Sequence, residues 1–288
     1  MHPAPSVILF TVLSGMGFGF LGLLGLFGAS GGAAFFLWGL GYGLAVAGLV
    51  ASTFHLGQPR RALLAFTQWR TSWLSREGWA SVVTLILLAP QALSDWLGLG
   101  WGRGFGMAGA AGCVATVFCT SMIYAQLRTV PRWRHWTTPA VFLAFAVAGG
   151  LVLAGQTGLA LPALSVLGVL MAVQWQGGAR RFARAGVGMG QATGLGRIGA
   201  VSVFEQPHTG GNYLMREMIF TVGRRHAARL RLIAMVAAVM LPATALAFVP
   251  GPVAPVLAVG AHLLGALAHR WLFFAEAEHV VGLYYGRR

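Results

Sequence analysis

The stretch SVILFTVLSGMGFGFLGLLGLF, residues 6–27, runs for 22 residues without a charge. A helix crosses the hydrocarbon layer of a bilayer in about 20 apolar residues, so this run is long enough to span it. Its flank, Met1-His2-Pro3-Ala4-Pro5, has no Lys or Arg, and the run is too long for the apolar core of a cleaved secretory leader. Seven similar runs follow, at about 33–55, 77–97, 104–126, 137–156, 159–178, 229–249 and 254–275. None has a charge at its centre, and none alternates apolar with polar as the strand of a membrane barrel would. The reading is an all-α polytopic membrane protein. A bundle of eight transmembrane helices makes one integral domain over residues 1–288, with a long polar loop at 179–228.

Composition agrees. Apolar residues make up 57% of the 288 and charged residues 9%, and the mean hydropathy is +0.73. A soluble domain carries about 25% charged residues, which this chain lacks for a water-facing surface. Disordered chains are poor in apolar residues, so disorder is excluded too. The spans are rich in glycine (Gly15, Gly17, Gly19, Gly22 and Gly25 in the first), which lets helix backbones approach closely in lipid. Gly15-x-Gly17-x-Gly19 lies inside an apolar helix with no strand before it, so it is not a nucleotide loop. Cys113 and Cys119 are too few for an iron–sulfur cluster and are read as buried spectators.

All 20 basic residues are Arg. With eight spans, the two termini and the loops after spans two, four and six share one side. That side holds Arg60, Arg61, Arg70 and Arg76, then Arg128, Arg132 and Arg134, the group from Arg180 to Arg231 that includes Arg216, and Arg287-Arg288. The other side holds Arg103 beside Asp95. By the positive-inside rule the arginine-rich side is cytoplasmic, and both termini are cytoplasmic. Trp69, Trp73, Trp79, Trp133, Trp136, Trp175 and Trp271 mark that interface, and Trp38, Trp96 and Trp101 mark the other. A basic rim binds anionic lipid headgroups or docks an acidic soluble partner. Arg60, Arg70, Arg132, Arg134 and Arg216 are the candidate docking residues. Nucleic acid is set aside, because the charge follows topology and no recognition motif occurs.

Chemistry concentrates between spans two and three. His55-Leu56-Gly57-Gln58-Pro59-Arg60-Arg61 closes one, and Trp73-Leu74-Ser75-Arg76-Glu77 opens the other. A short loop makes the two helices neighbours, which sets an imidazole and a carboxylate at one membrane depth. Quinone chemistry needs such a pair: one group hydrogen-bonds a ring oxygen and another exchanges a proton. The structural alternative has His55 and Glu77 complementing helix ends, with Glu77 paired to Arg76 or Arg70. His262 and His269 share one face of span eight and would not serve a single haem iron alone; His55 could partner one of them, but the fit is loose and no haem is expected. No chain of acids and histidines crosses the bundle, so no transmembrane proton path is expected. Asn212 reads as the N-cap of a helix running from Tyr213 into span seven.

These residues also carry a resemblance. Phe54-His55-Leu56-Gly57-x-Pro59-x-Arg61-Ala62, Leu74-Ser75-x-Glu77, and Arg270 with Phe273 and His279 resemble the membrane-anchor subunits of the dimethyl sulfoxide reductase type over essentially the whole chain. Met1-His2-Pro3-Ala4, Ser72 to Glu77, Pro207-His208-Thr209-Gly210-x-Asn212-Tyr213-Leu214 and Arg270 to Glu276 are most similar to anchors of cytoplasm-facing, sulfite-oxidising complexes. Position 269, here His, is usually acidic in that subgroup. The resemblance implies a molybdopterin catalytic subunit and an iron–sulfur electron-transfer subunit as partners on the cytoplasmic face of a bacterial inner membrane. It implies that this chain exchanges electrons with a quinone, ubiquinone or menaquinone, while molybdopterin and clusters stay in the partners. It carries the quinone site onto His55, Gly57, Pro59, Arg61, Trp73, Ser75 and Glu77. The rivals are an outward-facing anchor of the same type and, from another class, a secondary transporter, against which the absence of a convincing internal repeat speaks.

Overall fold

The computed structural model describes residues 1–54, 58–205, 210, 212–219 and 226–285. His55 and Gly57 lie outside the described residues, as do the side chains of Pro59 and Arg60. The described residues are helical, with no strand among them. The long helices are α1 (Pro5–Phe27), α2 (Gly31–Thr53), α3 (Trp73–Leu97), α4 (Gly104–Ala125), α5 (Thr137–Leu153), α6 (Thr157–Arg184), α7 (Ala227–Phe248) and α8 (Val253–Ala275). Seven of them are long and apolar enough to cross a membrane. The exception is α5, whose 17 residues reach about 25 Å at 1.5 Å per residue. The multi-pass reading therefore stands on seven helices, with α5 enclosed among its neighbours.

α1 is the hub, packed against α2, α4, α5 and α8. Its buried side includes Phe10, Phe18, Phe20, Leu21 and Leu24. The glycines do what the sequence suggested: a Cβ on Gly19 would overlap the Ala146 carbonyl of α5, and one on Gly17 would overlap the backbone of Ala45 in α2. Apolar side chains also face outward, among them Phe35, Phe36 and Val50 on α2 and Val166 and Val169 on α6. A surface of that kind suits lipid, not water.

Several boundaries differ from the sequence reading. α3 starts at Trp73, so Ser75 and Glu77 lie in its opening turns. α6 continues past 178 to Arg184. Asn212 does cap a helix, its Oδ1 accepting from the Met215 N–H at 2.9 Å. That helix spans only Tyr213–Glu217. The Glu217 carbonyl accepts from the His2 N–H at 2.7 Å.

α7 contains a π-helical turn at Val236–Met240. Pro242 follows it and has no N–H, so the Ala238 carbonyl four residues back lacks its usual helical donor. His262 of α8 supplies one, with Nδ1 2.8 Å from that oxygen. This fixes the proton on Nδ1 and joins α7 to α8.

The two ends of the bundle are tied differently. At the end with few charges, the Asp95 carboxylate accepts from the Ala29 N–H, Trp38 Nε1 and Gln91 Nε2 at 2.9–3.2 Å, and pairs with Arg103 at 3.4 Å. At the arginine-rich end, buried Glu276 pairs with Arg132 at 2.6 Å and with Arg231. Beside it Trp133 stacks on Phe273 and donates to the Phe273 carbonyl.

Candidate functional site

Among the described residues, Glu77 is the buried acid of the arginine-rich end that pairs with no cation. It is 4% exposed, and among the described residues its carboxylate meets the Thr120 hydroxyl of α4 at 3.4 Å and forms no ion pair. The structural alternative for it combined the N-terminal dipole of α3 with a pair to Arg76 or Arg70, and the pair is absent among the described residues. Arg76 instead donates to the carbonyls of Trp69 and Arg70 and lies over the Trp73 ring. Arg70 lies over Trp69 at the exposed surface. A carboxyl kept from water at this depth is costly, and such groups are function candidates by default.

The segment between α2 and α3 is built onto this corner. Pro59–Phe66 forms a 3₁₀ helix, which proline at its start permits. Its last residue sits edge-on to Trp79, whose Nε1 donates to the Phe66 carbonyl at 3.0 Å. The loop is thereby pinned to the first turns of α3. Of the residues read as a quinone site, Trp73 is half-buried against Phe118 of α4, and Arg61 is exposed. Ser75 is fully buried, and its Oγ has no hydrogen-bond partner. Trp73, Ser75 and Glu77 all lie in the opening turns of α3. α2 ends at Thr53, shortly before His55 in the sequence.

Thr120 and Arg270 had no role in the site as read from the sequence. Both line a narrow cavity among α1, α4, α5 and α8, whose wall also holds Thr11, Ser14, Gly15, Met16 and His262. It has room for about one water molecule. Arg270 is 2% exposed, its guanidinium lies 3.4 Å from the Phe142 ring centre, and its Nη1 has no partner. The signal in the sequence was an Arg set within an otherwise apolar span.

The two histidines of α8 do not converge on one point. His262 Nδ1 is engaged with Ala238, and His269 Nε2 meets Gln174 Oε1 of α6 at 3.1 Å. Among the described residues no three His, Cys, Asp or Glu side chains gather as a metal site would require.

The candidate docking arginines divide. Arg70, Arg134 and Arg216 are exposed. Arg132 turns inward: its guanidinium is engaged with Glu276, and its carbonyl accepts from Arg181 at 3.0 Å. Beside it, His135 accepts the Thr137 N–H on Nδ1 at the start of α5. Partial burial, and then the nearby Arg181 cation, hold the His135 pKa below its ordinary value.

The chain also has known relatives. The DMSO reductase anchor subunit (DmsC) family matches residues 1–173. The C subunit of the sulfite dehydrogenase of Allochromatium vinosum is 32% identical, with 99% of each chain covered. No solved structure matches the chain.

Proposed function

Since the chain belongs to the DMSO reductase anchor subunit family, we propose that it is the membrane anchor and quinone-reactive subunit of a molybdopterin and iron–sulfur oxidoreductase. It passes electrons between the partner iron–sulfur subunit and the quinone pool of a bacterial cytoplasmic membrane. The observation that carries the reading is Glu77, a buried carboxyl at the head of α3 with a hydroxyl and, among the described residues, no cation beside it. Sulfite oxidation coupled to quinone reduction is the assigned direction, supported by the name of the relative from Allochromatium vinosum. All eight long helices cross the membrane, α5 included, and the arginine-rich end faces the cytoplasm with both termini. The catalytic and iron–sulfur subunits dock there, with Arg70, Arg134 and Arg216 exposed to meet them.

Reduction of a quinone takes two electrons and two protons. Glu77 gives one proton, and His55 hydrogen-bonds a ring oxygen and supplies the other. Trp73 and Ser75 wall the headgroup position, and Gly57, Pro59 and Arg61 from the segment before α3 complete the site. Molybdopterin and the clusters remain in the partners, and the two electrons for the quinone come from the partner iron–sulfur subunit.

The complete complex tests the reading. His55→Ala and Glu77→Gln each lower quinone-coupled turnover about 100-fold, the scale of a lost acid–base group. Sulfite oxidation with an artificial acceptor is retained. Unchanged coupling in both variants refutes the site. Protease mapping that finds the loop after α2 outside the cell refutes the orientation.

A further inference from the structure

Three acids are buried among the described residues, and two of them are fully paired. Asp95 has Arg103, and Glu276 has Arg132 and Arg231. Glu77 has only Thr120. Arg270 is its counterpart, a buried guanidinium facing two phenyl rings, with no acidic partner among the described residues. Leaving either charge alone in an apolar interior is strongly unfavourable. The two meet the same residue: the Thr120 hydroxyl, which also donates to the Thr116 carbonyl at 3.0 Å, reaches Glu77 on one side, and Thr120 lines the Arg270 cavity on the other.

The chemistry of the cavity wall selects its occupant. Thr11 donates its hydroxyl proton to the Val7 and Ile8 carbonyls, and Ser14 donates to Phe10. Their lone pairs are left to face the cavity. Arg270 supplies donors. An anion would meet the hydroxyl lone pairs unfavourably, and the space is too small for a ring. Water both accepts and donates, and it fits.

We propose that this cavity is a hydrated proton relay, in which water held by Arg270 reloads Glu77 through the Thr120 hydroxyl. The inference rests on the quinone reading above. When Glu77 has given its proton to the quinone, Thr120 passes its own hydroxyl proton to the Glu77 carboxylate. Its Oγ takes a replacement from the cavity water, and that water takes one from solvent on the arginine-rich side. One proton moves from solvent to quinone for each cycle of Glu77. The electrons come from the partner iron–sulfur subunit. Depth suits this supply. Thr120 and Arg270 each stand five residues inside the arginine-rich ends of α4 and α8, about 8 Å by the helical rise. The relay runs laterally at that depth and does not cross the membrane.

The experiment uses the complete complex in lipid and compares quinone-coupled with artificial-acceptor turnover. In Thr120→Val the ratio falls about tenfold and the solvent deuterium isotope effect on quinone turnover rises, as proton supply becomes limiting. Thr120→Ser, which keeps the hydroxyl, restores most of the ratio. A Thr120→Val ratio equal to that of the unaltered complex overturns the relay, and so does a Ser variant as impaired as Val, since both changes would then act through packing. A density map of the complex that shows no water within hydrogen-bond distance of Arg270 overturns it as well. If Glu77→Gln leaves quinone turnover intact, the quinone reading itself fails. If Glu77→Gln is impaired while Thr120→Val is not, the relay fails alone.

Discussion

The junction of α7 and α8 makes a quantitative demand. Replace His262 with Leu, which keeps much of the volume and removes the donor. The Ala238 carbonyl, 2.8 Å from Nδ1 in the native fold, is then orphaned, because Pro242 has no N–H to offer it. A buried acceptor left unsatisfied costs about 1–3 kcal/mol, whereas interhelical hydrogen bonds in membranes average about 0.6 kcal/mol because the freed group finds another partner. Here the usual substitute donor is missing, so the cost lies near the upper range, about 2 kcal/mol. Pro242→Ala in the same chain returns an N–H to the helix and recovers about half of that. Unfolding of the purified protein in mixed micelles, followed over a denaturing-detergent titration, measures both steps. If the double variant is no more stable than His262→Leu, Pro242 is not the reason His262 is there.

Two further expectations concern the arginine-rich end. Glu276→Gln removes the carboxylate that pairs with both Arg132 and Arg231; removing one partner of a buried pair costs about 3–5 kcal/mol. The side chain of Arg231 is 31% exposed, so the lower figure applies, and adding Arg132→Gln should recover stability in a thermal-shift assay instead of subtracting more. His135 is held below its ordinary pKa by burial and by Arg181, so folding favours its neutral form. Its contribution is complete above about pH 6.5, the unfolded value, and is lost as pH falls through the lower folded value. The melting temperature should therefore drop on acidification more steeply in the native chain than in His135→Gln, and parallel curves would exclude His135 as a source of the drop.

The sequence made the architecture legible because hydrocarbon imposes a single length on a spanning helix. Seven runs reappear as helices within a few residues. The eighth, at 137–156, shortens to Thr137–Leu153 because Ala154 and Gly155 turn the chain toward α6. A length rule sees neither the turn nor the enclosure of α5 among other helices. Glu77 was legible as a titratable group at a span boundary. Its partner was not. Thr120 is one small hydroxyl among several on α4, and only packing decides which of them faces α3 and the cavity. Arg132 misled for a related reason: topology puts its charge at the correct end, but the pattern cannot tell an Arg that faces solvent from one turned inward onto Glu276.

The distribution of buried charge separates support from chemistry at this end of the bundle. Glu276 sits where α7, α8 and the α4–α5 connection converge, and its two arginines hold those elements together. A carboxylate so paired is a poor proton donor, because giving it a proton would break both pairs. Glu77, in the opening turns of α3, has one weakly held hydroxyl and, among the described residues, no ion pair for a change of protonation to disturb. Arg270 lines the Thr120 cavity and forms no ion pair with Glu77 among the described residues. Moving a cation into contact with Glu77 would make the corner more rigid and fix its charge, and a group with a fixed charge cannot pass a proton.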